Sequence, residues 1–343
     1  MLSRAVSSAV SLPSPTLWTE LSALEPLRAL GPGVLACVGY GMPMPDDPRC
    51  IEVGLPLLGA PRIELWRSAR PVEAGNDEGI GFAHDGEVLM GQLSMLDCEL
   101  DPVAPGTFRA YARIVAFLER QGYPHLLRCW NYLHAINEGD ADRERYKQFC
   151  VGRYQAIAGS PGFERQLPAG TAIGMAQPGL LVYFLAARSA PGIQVENPRQ
   201  TPAFHYPRQY GPRSPSFSRA TLRVDGGEAQ LLVSGTASVI GHATQHPDDM
   251  RAQLDETLAN LQALLAHAGA AHLRGGAARW TAQSFKLYLR DRKNADYARQ
   301  RLEQAFGSNA PLLLLEGDVC RRDLHTEIEA VYSAPLGEPS RHA

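Results

Sequence analysis

Two glutamates stand two positions apart near the end of the chain, Glu327 and Glu329 in the run LHTEIEAVY. If this run is a strand, period-two alternation puts His325, Glu327, Glu329 and Val331 on one face and Leu324, Thr326, Ile328 and Ala330 on the other. Carboxylates that share a partly buried face repel each other, and burial disfavours charge, so one of the pair is expected to keep its proton near neutral pH. Such a group is a general acid. On a solvent-facing edge the same pair would simply be hydrated, which is the commoner fate of an isolated ExE.

A complementary feature is the segment ENPRQTPAFHYPRQYGPRSPSFSRA, residues 196 to 220. No acid occurs between Glu196 and Asp225, whereas Arg199, Arg208, Arg213, Arg219 and Arg223 alternate with Phe204, Tyr206, Tyr210 and Phe217. Its five prolines stiffen the loop and lower the ordering entropy lost on closing over a ligand. Guanidinium groups beside aromatic rings suit a flat, unsaturated carboxylate, with bidentate pairing to orient it. An exposed basic linker is the plain alternative. Single-stranded RNA is a further candidate for such a surface, but the chain as a whole carries 33 Lys+Arg against 36 Asp+Glu, a formal charge of −3. No nucleic-acid partner is expected.

Other motifs lead nowhere. There is no phosphate-binding GxxxxGK[ST] loop, and Gly39, Tyr40 and Gly41 lack the third glycine and following helix of a dinucleotide site. His242 and His246 are four apart but Pro247 follows at once and no Glu lies between them, so no metal is expected. No serine-hydrolase elbow surrounds Ser234. The cysteines Cys37, Cys50, Cys98, Cys129, Cys150 and Cys320 show no CxxC pairing, the pattern of reduced thiols in a cytoplasmic protein. Apolar runs fall short of the roughly 20 residues that cross a bilayer, and the first nineteen residues read as a frayed terminus.

These residues need elements to hold them. Phe108, Tyr111, Val115 and Leu118 form a helical stripe over residues 105 to 122, and Met250, Leu254, Leu258, Leu261 and Leu265 form another behind the acidic turn Asp248 and Asp249. Each helix follows a strand-like segment, residues 82 to 95 and 220 to 241, the second with a Gly-Gly turn. Each is then followed by a strand, a second helix and two more strands. The expected fold class is therefore α/β (α+β), two tandem units of similar plan, each a mixed sheet covered on one face by helices. The units are placed at residues 1–190 and 216–343, joined by the arginine-rich loop 191–215.

Beyond these patterns, the stretches CWNYLHAIN (129–137), RYKQFCVGR (145–153), TAIG (171–174), VENPRQTPAFHYPRQYGPRSPSFSRA (195–220), LLVSGTASVIGH (231–242) and EIEAV (327–331) resemble the chorismatases, which cleave the enolpyruvyl ether of chorismate. The likeness runs from about residue 125 onward and is weaker before it. It implies a catalytic domain of the YjgF/RidA type, with a cleft between the two units that needs no oligomer.

The resemblance also implies a site. Tyr146, Arg153, Tyr206, Arg213, Arg219, Gly235 and Ala237 are expected to bind substrate, with Arg153 and Arg219 anchoring its two carboxylates, and with bracing of the loop the alternative role for Arg208 and Arg213. Glu327 matches the family's catalytic glutamate, with Glu329 as fallback. Protonating the terminal methylene makes an oxocarbenium ion that water or the ring hydroxyl captures, so that no metal or organic cofactor is needed. Cys320, seven positions before Glu327, is expected at the ring and favours hydroxybenzoate formation, 3-hydroxybenzoate with or without 4-hydroxybenzoate, which could serve as a quinone or pigment precursor. Hydrolysis to a dihydroxycyclohexadiene carboxylate, or mere binding of ligand or RNA by a YjgF-like protein, are the alternatives, and a buried, inert thiol is the ordinary reading of Cys320.

Overall fold

The computed structural model describes residues 16–159, 162–273 and 280–336. Of the terminus expected to fray, residues 1–15 lie outside the described residues, and Leu17–Ser22 is a strand. Three mixed sheets account for most of the remainder, with long helices against the outer faces of the two larger ones.

The first large sheet begins with the edge strand Glu73–Asp77 and the hairpin Ile80–His84 and Val88–Met95, continues through the helix Val103–Gln121, and adds His125–His134, the helix Arg145–Ile157, Ala169–Met175 and finally Leu180–Ala187. The last strand inserts between Val88–Met95 and His125–His134, while Ala169–Met175 runs parallel to His125–His134. The second large sheet repeats this plan. It has the hairpin Ala220–Asp225 and Glu228–Ala237, the helix Met250–His272, the strand Thr281–Leu289, the helix Ala295–Phe306, the parallel strand Leu312–Glu316, and Thr326–Pro335 inserted between Glu228–Ala237 and Thr281–Leu289.

The strands ahead of residue 70 were expected to belong to the first unit, but they form a separate sheet in the order Leu17–Ser22, Ile63–Ser68, Val34–Tyr40, Cys50–Val53. Its last strand inserts between its first and second, and its third runs parallel to its second, so it repeats the plan once more in reduced form. The long helix is missing from this copy: only Pro26–Ala29 is helical between the first two strands. Residues 1–190 thus hold two sheets. Conversely, the short strand Asp318–Val319 leaves the second unit and pairs with Ala169–Met175 on the edge of the first large sheet.

Helix Met250–His272 starts where Asp249 accepts hydrogen bonds from the backbone N–H groups of Arg251 (2.9 Å) and Ala252 (3.1 Å), and it buries Leu254, Leu258, Leu261 and Leu264 against the sheet. In Val103–Gln121 the buried stripe is Ala110, Tyr111, Ile114, Phe117 and Leu118, and Phe108 is left 42% exposed. The sheet meets that helix about one residue's turn round from the expected stripe. Gly152 lets helix Arg145–Ile157 lie close against it, since a Cβ there would stand 2.1 Å from the Ala104 carbonyl oxygen. This contact fixes the helix that carries Tyr146 and Arg153.

The inner faces of all three sheets bury one shared core, to which Trp130 and Tyr183, Tyr40 and Trp66, and Tyr288 and Val331 belong. Leu254 and Ile328 lie instead in the layer between the second sheet and its helices. The alternation expected for the terminal strand is thus realised: Ile328 and Ala330 face the helices, whereas Glu327 and Glu329 face the other sheets.

Candidate active site

A cavity of about 300 Å³ opens between the two large units. Helix Arg145–Ile157 forms one wall with Tyr146, Cys150 and Arg153; the arginine-rich loop forms another with Tyr206, Phe217 and Arg219. Gly235, Ala237, Cys320 and Glu327 close the far end.

Arg153 is 4% exposed, and its Nη1 donates to the Ser216 carbonyl oxygen. Its Nε and Nη2 are buried with no hydrogen-bond partner among the described residues. Arg219, also 4% exposed, donates from Nη2 to the Thr201 carbonyl (2.9 Å) and to the Tyr206 hydroxyl (2.6 Å), and its Nε has no partner among the described residues. Both guanidinium groups line the cavity and keep buried N–H donors without a partner among the described residues, which gives this wall the chemistry that pairs with carboxylate groups.

Glu327 and Glu329 have opposite environments. Glu329 does not line the cavity. It accepts from Arg128 Nη2 (2.9 Å), Trp130 Nε1 (2.7 Å), Thr171 Oγ1 (2.6 Å) and Lys286 Nζ (2.9 Å). Burial alone would raise its pKa, but Lys286 and Arg128 outweigh it and hold the group below the ordinary carboxylate range. Glu327 faces the cavity, and no group among the described residues hydrogen-bonds its carboxyl. Burial, followed by the negative charge of Glu329, pushes it up to about 8. The protonated carboxyl is therefore its form at neutral pH, and Glu329, expected as the fallback acid, is a fixed anion already fully engaged.

Gly235 admits the acid. A Cβ there would stand 1.9 Å from Glu327 Oε1, so any side chain would push the carboxyl out of place. The Gly235 N–H donates to Thr171 Oγ1 (3.0 Å), tying the strand Glu228–Ala237 to the first large sheet.

Cys320 lies beside Tyr146 and Glu327 at the end of Asp318–Val319, and burial, then Glu327, pushes its thiol up to about 12. It is a neutral, weakly polar wall. Tyr146 is also raised well above its ordinary value, by burial and then by Cys150, Cys320 and Glu327.

Arg213 does not line the cavity: it is exposed and its guanidinium lies 4.4 Å from the Tyr154 ring centroid. Arg208 is exposed and holds Asp142 at 2.6 Å, while Arg199 pairs with Glu256 (2.6 Å) and Asn260 (2.7 Å) away from the cavity. His242 and His246 do not converge, since His242 meets the Tyr210 hydroxyl (3.1 Å) and His246 faces Glu256 (4.0 Å).

Gln200 and Arg321 were missed. The Gln200 Nε2 donates to the Val239 carbonyl (3.1 Å), which leaves its buried Oε1 without a partner among the described residues at the cavity wall. Arg321 stacks over Tyr210 at 4.0 Å and Tyr206 at 5.1 Å. Gln200 lies within the arginine-rich segment and Arg321 beside Cys320, so proximity in sequence was the available signal.

The chain is an α+β arrangement of repeated mixed sheets around a cavity whose wall carries the buried guanidinium groups of Arg153 and Arg219 and the buried carboxyl of Glu327. Comparison with known proteins defines its family. Residues 64–186 match the family described as Chorismatase FkbO/Hyg5-like, N-terminal. Over 280 residues the chain is 37% identical to a 3-hydroxybenzoate synthase of Streptomyces hygroscopicus, covering 79% of this chain and 81% of that protein. It is 36% identical over 273 residues to a chorismatase of Streptomyces rapamycinicus, covering 78% of this chain and 81% of the relative. A chorismatase crystal structure superposes with a TM-score of 0.81 at 32% identity, covering 94% of this chain and 99% of that one. The chain belongs to the chorismatase family and is an enzyme. Among the described residues no helix is long and apolar enough to cross a membrane.

Proposed function

We propose that this enzyme cleaves chorismate to pyruvate and a hydroxybenzoate, with Glu327 as the proton donor. The observation that carries the reading is the cavity-facing Glu327 carboxyl, protonated at neutral pH and free of protein hydrogen bonds among the described residues. An enol ether is inert to base and opens when its terminal methylene takes a proton. Glu327 supplies that proton, and positive charge develops at the ether carbon. The anionic Glu329 behind it both preserves the proton beforehand and, through its negative field, favours the cation afterwards.

Arg153 and Arg219 orient the substrate, one at each carboxylate, with Tyr206 held in place by Arg219. Pyruvate then leaves. If water captures the cation, one water is consumed and the ring retains both oxygens as a dihydroxydiene acid; if the ring hydroxyl captures it instead, one ring C–O bond breaks with its oxygen leaving in pyruvate, a ring C–H proton is lost, and a hydroxybenzoate forms with no net water. The neutral thiol of Cys320 and the methyl of Ala237 line the cavity without charge, and this weakly polar wall favours the second course by offering a competing water few hydrogen-bond partners. A relative named 3-hydroxybenzoate synthase supports 3-hydroxybenzoate as the main product.

Purified protein mixed with chorismate should release pyruvate, read by a coupled lactate dehydrogenase assay, together with one equivalent of hydroxybenzoate by chromatography. No pyruvate would overturn the activity; pyruvate with only the dihydroxydiene acid would overturn the product.

A further inference from the structure

The ion pairs behind Glu327 continue into the N-terminal sheet. Lys286, 2% exposed on strand Thr281–Leu289, donates to Glu329 Oε1 (2.9 Å), to Glu64 Oε2 (2.8 Å) and to the Tyr183 hydroxyl (2.9 Å). Glu64 is fully buried on strand Ile63–Ser68. It also accepts from the hydroxyls of Tyr40 (3.1 Å), Ser284 (3.4 Å) and Thr19 (3.5 Å). The Tyr40 hydroxyl meets that of Tyr183 at 3.3 Å. The three copies of the strand plan therefore meet through one hydrogen-bonded ring.

Charge counting gives this ring a purpose. Arg128 and Lys286 are cations and Glu329 and Glu64 anions, so the four cancel. No spare positive charge remains in the ring to stabilise an ionised Glu327. We propose that Glu64 is a positioning residue for the reaction: through Lys286 it completes the charge balance around Glu329 and so keeps the proton on Glu327. This rests on the reading of Glu327 as the proton donor.

The other groups that face Glu327 are Arg219 from the arginine-rich loop, Tyr146 from its helix and Cys320 from the loop after Asp318–Val319, together with Arg128 from strand His125–His134. Arg128 and Arg219 favour ionisation, and burial with Glu329 opposes them. Without the Glu64 charge the ring carries one net positive charge, which joins the side of ionisation. A unit charge on the order of 10 Å away at an effective dielectric near 20 is worth about one pH unit.

The test is a titration of the Glu327 carboxyl by ¹³C NMR in protein labelled at glutamate Cδ, its resonance assigned by loss in Glu327→Gln. The wild-type resonance should titrate near pH 8. In Glu64→Gln it should titrate about one pH unit lower, and the alkaline limb of kcat/KM should move with it. Glu64→Asp, which keeps the charge, should restore both. Lys286→Met removes a positive charge and should leave the resonance at or above the wild-type value. An unmoved titration in Glu64→Gln would overturn the proposal, and so would a lowered one in Lys286→Met even if Glu64→Gln did not fold. The NMR readout needs no turnover. If Glu327→Gln retained full activity, the donor assignment would fall while the Glu64 effect on the carboxyl would still be read.

Discussion

Replacing Glu327 by glutamine should separate chemistry from stability in opposite directions. The amide keeps the shape of the side chain but cannot supply a proton, so kcat for pyruvate release should fall by a hundredfold or more, the contribution expected of a general acid. Stability should respond the other way. Glu327 titrates near 8 in the folded protein against an ordinary value of 4.5, so its favourable contribution is complete below pH 4.5 and is lost as the pH rises through 8. That gap corresponds to about 5 kcal/mol in full, approached at about 1.4 kcal/mol per pH unit. Glutamine does not titrate. The unfolding free energy of Glu327→Gln minus that of wild type should therefore grow between pH 5 and pH 8, measured by urea denaturation at fixed temperature and salt. Parallel pH dependences would refute the protonated, buried carboxyl. Near-normal turnover in the variant would refute the acid.

Arg219→Ala should raise the chorismate KM severely, because a charge-assisted pair to a buried carboxylate is lost, whereas Arg199→Ala should change kcat/KM by less than about twofold; isothermal titration with an unreactive diacid would check both. Gly235→Ala should fold yet lose most of its kcat, since the new methyl falls on the Glu327 carboxyl, and a crystal structure should show that carboxyl displaced. Cys320→Ala should keep pyruvate formation within about tenfold of wild type while shifting the ring product toward the dihydroxydiene acid, read by chromatography at equal pyruvate yield. An unchanged product profile would make Cys320 a packing residue only.

Much of the architecture can be read from periodicity. Leu254, Leu258 and Leu261 mark their helix, and the ExE alternation places both glutamates on the correct face of the terminal strand. What alternation cannot tell is which carboxylate is free, because that depends on partners from other strands: Lys286 lies directly across from Glu329 in the sheet, and Arg128 reaches it from the first large sheet. Arg213 and Arg219 look alike in sequence, but only Arg219 immediately precedes a strand, Ala220–Asp225, that fixes it at the cavity. The reduced third copy escaped notice because it lacks the long amphipathic helix that announces the other two. Glu64 leaves no local trace, since Arg67 in the same run pairs with Glu20 and the buried cation that Glu64 meets, Lys286, lies far along the sequence.

The threefold recurrence of one strand plan within a single chain releases a constraint that identical subunits could not escape. In a ring of three identical chains, a substitution at one junction appears at all three, so a buried acid could not be introduced once. Here the strand inserted last in each sheet presents a different group to its neighbour: Glu329 to Arg128, Glu64 to Lys286, and the Tyr183 hydroxyl to that of Tyr40. One junction is free to serve chemistry while another supplies counter-charge and the third only closes the ring. Covalent linkage thereby converts symmetry into division of labour, and mutations at equivalent positions of the three copies should have unequal effects.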